Sequence, residues 1–281
     1  MEVLITGAAR GIGAHTARLL AGKGHRISLV GLEPERLAKL AADLGEPHCW
    51  FEADVTDSAS LHAAVAGTVD RFGGIDTVVA NAGVANYGTV RITDPEVFAR
   101  VIDINLTGVF RTMHATLPLL IERRGYALII ASLASYTPMP GMAAYTASKA
   151  GVEAFGHALR HEMAPYGVQV GTAHPAWVDT DLVRGAYEDM ATYREMRRRL
   201  PWPANSLTSV EDCAAALVRG IEKRARRVHV PRSIALVSAI RSVLVSPLAD
   251  RVIGRGARRM VPALEEEIQE LGRQRQRHTP G

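Results

Sequence analysis

The stretch "VLITGAARGIG" (3–13) decides the fold. Residues 3–6 are apolar and partly β-branched, the pattern of a strand buried on both faces of a parallel sheet. Gly7, Gly11 and Gly13 follow at once, with Arg10 and Ile12 between them. The glycines permit a tight turn and close backbone approach to a phosphate. The helical stretch "AHTARLLAGKG" (14–24) comes next, and its N-terminus offers free N–H groups and a partial positive charge. Strand, glycine turn and helix in this order read as the opening of a dinucleotide-binding unit. Such a turn also occurs with no ligand, so the rest of the chain carries the decision.

Outward from there the alternation continues. "RISLV" (26–30), "CWFEADV" (49–55), "DTVVAN" (76–81), "YALIIAS" (126–132), "VQVGTAH" (168–174) and "RVHVP" (227–231) repeat the strand pattern. Helical stretches separate them. "PERLAKLAADLG" (34–45) has Pro34 in its first turn and Gly45 as a stop. "SVEDCAAALVRGIEKR" (209–224) follows Thr208, which with Glu211 reads as a capping box. Apolar strands joined by crossovers of about 20 residues predict an α/β fold. The expected form is a doubly wound, Rossmann-type parallel sheet of about seven strands flanked by helices. Residues 1–231 read as one domain. Residues 232–281 read as a basic, partly helical extension whose end, "RQRQRHTPG" (273–281), has the composition of a disordered terminus.

Composition narrows the classes. The 281 residues are 47% hydrophobic, enough to build a core. No apolar run reaches the roughly 18 residues of a membrane-spanning helix. The first residues lead straight into a strand, so no signal peptide is expected. Cys49 and Cys213 stand far apart and outside any metal-ligand spacing, which fits free thiols in a cytoplasmic protein without a metal. The net charge of +4 is local: residues 232–281 hold nine arginines and five acidic residues, while the body balances. No aromatic residues interleave with those arginines, so nucleic acid is not an expected partner.

"AAYTASKAG" (143–151) places Tyr145 and Lys149 at i and i+4, on one helix face. Alone, the pair could be an ordinary amphipathic contact. A phenol with an ordinary pKa near 10 is a poor base at neutral pH. A nearby ammonium stabilises the phenolate and is expected to lower that value. Ser132 closes the strand-like "YALIIAS", and Asn105 lies within the helical "VIDINLTG". A buried asparagine there needs a polar partner.

These motifs, in this chain order, resemble the short-chain dehydrogenase/reductase family in its single-domain branch. The resemblance spans about residues 2–231 and rests on T-G-x-x-x-G-x-G at 6–13 and Y-x-x-x-K at 145–149. It implies a nicotinamide-dependent oxidoreductase working on an alcohol or ketone, with Asn105, Ser132, Tyr145 and Lys149 as catalytic residues. Tyr145 would be the acid/base and Ser132 would hold the substrate oxygen. Lys149 would also reach the nicotinamide ribose, and Asn105 would hold a water linking Lys149 to solvent. Asp54 and Val55 would meet the adenine. Asn81, Ala82 and Gly83 would border the adenosine half. As bland readings, Asp54 could cap the next helix and residues 81–83 could be a simple turn. "HPAWVDT" (174–180) stands where the family has P-G-x-x-x-T, with Ala176 in place of the glycine. Val178 and Thr180 would contact the carboxamide and the pyrophosphate.

NAD and NADP are usually told apart at the end of the second strand. Here that position reads Gly31, Leu32, Glu33, with neither the usual Asp nor the usual Arg. Glu33 could accept from a ribose 2′-OH and repel a phosphate, while Arg10 could favour a phosphate. Glu33 could equally be an acidic helix start. The reading leans to NAD. Residues 176–208 occupy the place of the family's variable substrate loop and carry Trp177, Leu182, Tyr187, Met190, Tyr193, Met196, Leu200 and Trp202. They suggest a lid over a small, apolar substrate, or else a lid packed on its own domain. The tail can dock on the body or a sister subunit, or lie peripherally on a membrane. A homo-dimer or homo-tetramer is implied by the resemblance. The rival reading is a catalytically idle dinucleotide-binding scaffold or redox sensor, possible also at a membrane.

Overall fold

The computed structural model of the chain describes residues 1–137, 139–271 and 275–277. In chain order, the first half contains β1 (Glu2–Thr6), α1 (Gly11–Ala21), β2 (Arg26–Gly31), α2 (Pro34–Leu44), β3 (Cys49–Glu52), α3 (Ser58–Phe72), β4 (Thr77–Ala80), β5 (Ala85–Tyr87) and α4 (Pro95–Ile102). A π-helical turn (Asp103–Thr107) joins α4 to α5 (Gly108–Arg123), followed by β6 (Tyr126–Ile130), a 3-10 turn (Leu133–Ser135) and α6 (Ala143–Met163). Then come β7 (Gln169–Pro175), β8 (Trp177–Val178), α7 (Asp181–Asp189), α8 (Ala191–Arg199), β9 (Leu207–Thr208), α9 (Val210–Glu222) and β10 (Arg227–Val230). The C-terminal part holds α10 (Ile234–Ala239), α11 (Arg241–Leu244), α12 (Pro247–Glu270) and β11 (Arg275–Arg277).

Seven strands form one parallel sheet in the order β10-β7-β6-β4-β1-β2-β3. These are the seven strands expected from the apolar pattern, and β3 ends at Glu52, earlier than expected. Side chains alternate between two cores. Val3, Ile5, Leu29 and Ile130 join the core that includes α1, α2 and α9 residues, and Leu4, Val30, Ala127 and Ile129 join that of α3, α5 and α6. The chain leaves β3 at one edge and re-enters the sheet as β4 beside β1. That reversal opens a crevice beyond the carboxyl ends of β1 and β4.

Two local expectations change. The helix after residue 208 is capped by Ser209, whose Oγ accepts from the Asp212 amide at 3.0 Å. Thr208 instead extends in β9, paired with Val178, and stands one residue before the cap because α9 begins at Val210. The tail's end is not wholly without structure: β11 pairs antiparallel with β5, while residues 272–274 and 278–281 lie outside the described residues. No helix among the described residues is long and apolar enough to cross a membrane.

Candidate active site

The crevice is a cleft of about 870 Å³. The glycine turn forms one end. Gly7 and Gly11 have φ of +64° and +55°, a left-handed region that favours glycine. Gly13 has ordinary geometry but no room: a Cβ there would strike the Gly7 carbonyl and lie 2.7 Å from Asn81 Nδ2. Asn81 Nδ2 donates to the carbonyls of Thr6 (3.0 Å) and Gly7 (3.1 Å), and Thr6 Oγ1 accepts from the amides of Asn81 and Ala82. Residues 81–83 are therefore more than a turn, since they clamp the glycine loop to β4. Arg10 stands at the N-cap of α1 without a side-chain capping bond, so the first amides of α1 have no side-chain acceptor from that residue.

The cleft wall collects Gly7, Arg10, Gly11, Ile12, Glu33, Asp54, Val55, Asn81, Ala82, Gly83, Ser132, Tyr145, Lys149, Val178 and Thr180. Of the residues singled out in the sequence, Gly13 and Asn105 stand behind this wall. Asn105 is fully buried in the π-helical turn. Its Oδ1 accepts from the Val84 amide at 2.8 Å, and its Nδ2 donates to the Val84 carbonyl (2.9 Å) and Ser148 Oγ (3.0 Å). The amide is thus spent on fixing the backbone beside Gly83. A Cβ at Gly83 would lie 3.5 Å from Lys149 Nζ, so this backbone borders the lysine directly.

Ser132, two residues past β6, caps the 3-10 turn in extended conformation, with Oγ accepting from the Ala134 amide at 3.1 Å. Its hydroxyl also lies near enough to the Tyr145 phenol to favour the phenolate. Lys149 is buried, donates to the Ile130 carbonyl at 2.8 Å and lies 5.8 Å from the Tyr145 ring centre. Burial holds the Lys149 ammonium down to about 8. The expected depression of Tyr145 is not found: burial pushes the phenol above its ordinary value, and the nearby Ser132 hydroxyl offsets this only in part. Desolvation disfavours the charged form of both groups, which raises an acid and lowers a base.

Arg10 and Glu33 do not compete for the cleft; they pair. Arg10 Nε is 3.1 Å from one Glu33 oxygen and Arg36 Nε is 3.0 Å from the other. Asp54 does not cap α3. Its Oδ1 accepts from the Thr56 amide at 2.8 Å, and Asp57 caps the helix through the amides of Ala59 and Ser60.

On the substrate side, most of the supposed lid turns inward. Trp177, Met190 and Tyr193 are buried, with Leu182, Met196 and Leu200 packed against them. Trp177 Nε1 donates to the Ala204 carbonyl at 2.8 Å, and Tyr193 meets the rings of Tyr87 and Trp177 edge-on. Leu182 reaches the cleft wall, beside Ala176 and Val183. Trp202 is exposed, and the side chain of Tyr187 lies outside the described residues. Sequence reasoning missed the other half of this cluster. Leu264 and Ile268 of α12 are buried in it, and Tyr145 packs at its edge. Glu265 pairs with Arg91 and Thr89, and Glu267 with Thr192, fastening α12 down. The i, i+4 spacing of Leu264 and Ile268 signals an apolar face, though not what it covers. His174 was also missed. It is fully buried and stacks on Tyr136 and His229. Its Nδ1 lies 3.2 Å from Ser135 Oγ and 3.4 Å from the Ser132 carbonyl, and burial drives it down to about 3, so the ring is neutral.

The profile of the short chain dehydrogenase family matches residues 2–191. The chain is 34% identical over 191 residues to the trans-4-hydroxycyclohexanecarboxylate dehydrogenase of Sinomonas cyclohexanicum, covering 65% of this chain and 74% of that protein. It is 31% identical over 259 residues to an uncharacterized oxidoreductase of Myxococcus xanthus, covering 90% of this chain and 96% of that one. Its fold matches a single-site variant of actinorhodin polyketide ketoreductase with NADPH, at a TM-score of 0.74 and 29% identity, over 82% of this chain and 95% of that one.

Proposed function

The chain belongs to the short-chain dehydrogenase family, oxidoreductases that act on CH–OH groups with a nicotinamide cofactor, and on that premise we propose that it interconverts a lipophilic alcohol and its carbonyl form with Tyr145 as general acid/base. The observation that carries the reading is the convergence of Ser132 and Lys149 on Tyr145 in a cleft that also holds the glycine loop.

The residues present fit a dinucleotide. The glycine loop is crowded enough that only bare backbone can form it, and the N-terminus of α1 faces the space beyond. Gly7, Arg10, Gly11 and Ile12 would hold the phosphates, Asp54 and Val55 the adenine, and Asn81, Ala82 and Gly83 the adenosine side. Val178 and Thr180 would hold the carboxamide and pyrophosphate. When bound, the nicotinamide gives or takes the hydride. The chain's own residues manage the proton. A phenol kept protonated by burial is suited to donate to a carbonyl oxygen in the reducing direction. Ser132 would orient that oxygen, and Lys149 in its ammonium form would favour the phenolate left behind. Asn105 would act as a positioning residue by holding the backbone at Val84 against Lys149.

We read the cofactor as NAD. Glu33 is pinned at the cleft by two arginines, where it could accept from a ribose 2′-OH, and a 2′-phosphate would have to break the Arg10–Glu33 pair. Ala176, Leu182 and Val183 support an apolar substrate. Half-exposed Phe110 on α5, edge-on to Phe155 of α6, supports association with a second copy as a homo-dimer or homo-tetramer. Free Cys49 and Cys213 fit a cytoplasmic setting.

The test is Tyr145→Phe. Turnover should fall by about 10³-fold or more, within the range for loss of a positioned acid/base, while cofactor affinity stays within about twofold. A residual rate within about tenfold of wild type would sink the assignment. Silence of the wild type across a broad panel of apolar alcohols and ketones would instead favour the idle dinucleotide-binding scaffold.

A further inference from the structure

Residues 234–252 carry two apolar faces, and the body of the protein uses one. Ile234 and Val237 are buried and Leu244 is partly so, packed with Leu133, Tyr136 and Ala204. Arg241 reaches back to Glu153 at 3.1 Å. These contacts lay α10 and α11 against the domain. The second face stands largely uncovered among the described residues. Leu236, Ile240, Val243, Val245, Leu248 and Val252 are each more than half exposed. They are six of the fifteen large hydrophobic residues that stand exposed among the described residues, gathered within seventeen positions of chain. Single exposed aliphatics need no explanation, but a concentration of this size marks a binding surface.

The charges around this face say what it would meet. Arg232, Arg251, Arg255, Arg258 and Arg259 are exposed, and none makes an ion pair among the described residues. Between residues 232 and 262 the single acidic residue is Asp250. The other acidic residues of α12 come later, where Glu265 and Glu267 turn inward to pair with Arg91 and Thr192. The arrangement is therefore split along α12: its C-terminal half docks on the body, and its N-terminal half presents Leu248 and Val252 among arginines.

An aliphatic face bordered by unpaired arginines is complementary to a layer that is apolar below and anionic at its surface. A second copy is a poorer match, because a two-fold contact on this face would set these arginines against their own copies. Nucleic acid would leave the aliphatic side chains without a function, since bases stack on aromatics. We propose that the surface formed by residues 236–259 seats the protein on an anionic lipid bilayer. The aliphatic side chains enter the boundary between headgroups and acyl chains, and the arginine stems lie along it with their guanidinium groups at the phosphates. No helix of the described residues can cross the membrane, so the contact is peripheral and reversible. It is independent of the reaction assigned to the cleft.

The experiment is flotation of the full chain with vesicles of phosphatidylcholine alone and of phosphatidylcholine with about one-third phosphatidylglycerol. The protein should float with the anionic vesicles, and binding should weaken by about tenfold when salt rises to roughly 0.5 M. L248E/V252E should lower binding by about tenfold or more, since it removes two inserted side chains and adds two like charges. Both positions are exposed, so its melting temperature should stay at the wild-type value. A second variant, R251Q/R255Q/R258Q/R259Q, should lose the preference for anionic vesicles. No flotation with anionic vesicles would overturn the proposal, as would equal flotation of wild type and both variants. A drop in particle mass of L248E/V252E by light scattering would overturn it in favour of a subunit interface.

Discussion

Around β1, α1 and β4, positions are set by side chains that are missing. Gly7 and Gly11 adopt backbone angles open to glycine, and Gly13 touches the Gly7 carbonyl so closely that no methyl group fits. Around α8 and α12, positions are set by large side chains. Trp177, Tyr193, Tyr87, Leu264 and Ile268 interlock, although they come from segments far apart in the chain. Tyr145 stands between the two regions, in the cleft wall and against the edge of the aromatic cluster. The first region is made by backbone geometry and tolerates no added volume. The second is made by volume and tolerates exchange among apolar shapes, at a graded cost. A cofactor shared by a whole family suits the first, and a substrate particular to one member suits the second.

Adding one methyl group tests the first region hardest. Gly13→Ala should weaken cofactor binding by about a hundredfold and cost about 3 kcal/mol of stability, because backbone and not a flexible side-chain tip stands in the way. Isothermal titration and urea unfolding measure the two effects. Cofactor affinity within about twofold of wild type would mean that the loop yields, and the contrast with α12 would dissolve.

Removing volume tests the second. Leu264→Ala takes a nearly buried side chain out of the cluster beside Tyr145. Stability should fall by about 2–3 kcal/mol. The KM for the alcohol should rise while the KM for the cofactor stays within about twofold, since Leu264 lies outside the wall that holds the glycine loop. An equal rise in both constants would show that the regions move as one.

How far each region can be read from sequence follows from the same difference. Gly7, Gly13, Tyr145 and Lys149 fall in two short motifs of fixed spacing, so spacing alone locates them. The seven sheet strands are legible because burial on both faces demands unbroken apolar runs. Three-dimensional pairings leave no such trace. Arg10 and Glu33 were expected to favour different cofactors, and only their 3.1 Å contact shows them as one unit. Leu264 reveals an apolar face in sequence but not that Tyr87 and Tyr193 lie under it. Asn105 reads as a buried polar residue in need of partners, and the structure supplies Val84 and Ser148, which nothing in its sequence neighbourhood names. His174, within an apolar strand, gives no sign that it stacks on both Tyr136 and His229.

The Arg10–Glu33–Arg36 unit gives a smaller, sharper measurement at the cofactor end. Glu33→Gln removes the negative charge that opposes a 2′-phosphate and releases two guanidinium groups toward it. The ratio of kcat/KM for NADP over NAD should rise by about tenfold, equivalent to about 1.4 kcal/mol. An unchanged ratio would place the 2′ position out of reach of Glu33, and the first region would then owe its specificity to backbone alone.

The smallest effect lies where the two regions meet, between neighbouring residues. Thr208 belongs to the substrate side: its backbone pairs β9 with β8, and its carbonyl accepts from the Asp179 amide at 2.9 Å. Ser209 belongs to the cofactor side, since it caps α9, which packs against α1 beneath the glycine loop. Its Oγ accepts from the Asp212 amide and donates to the Asp212 carboxylate at 2.8 Å. Ser209→Ala should therefore cost about 1 kcal/mol by leaving the first turn of α9 without its acceptor. Thr208→Ala keeps every backbone bond of β9 and should change stability by less than about 0.5 kcal/mol. Urea midpoints of the two variants decide it. A larger loss at Thr208 would return the cap to the position that the sequence favours, and would move the boundary between the regions one residue toward the N-terminus.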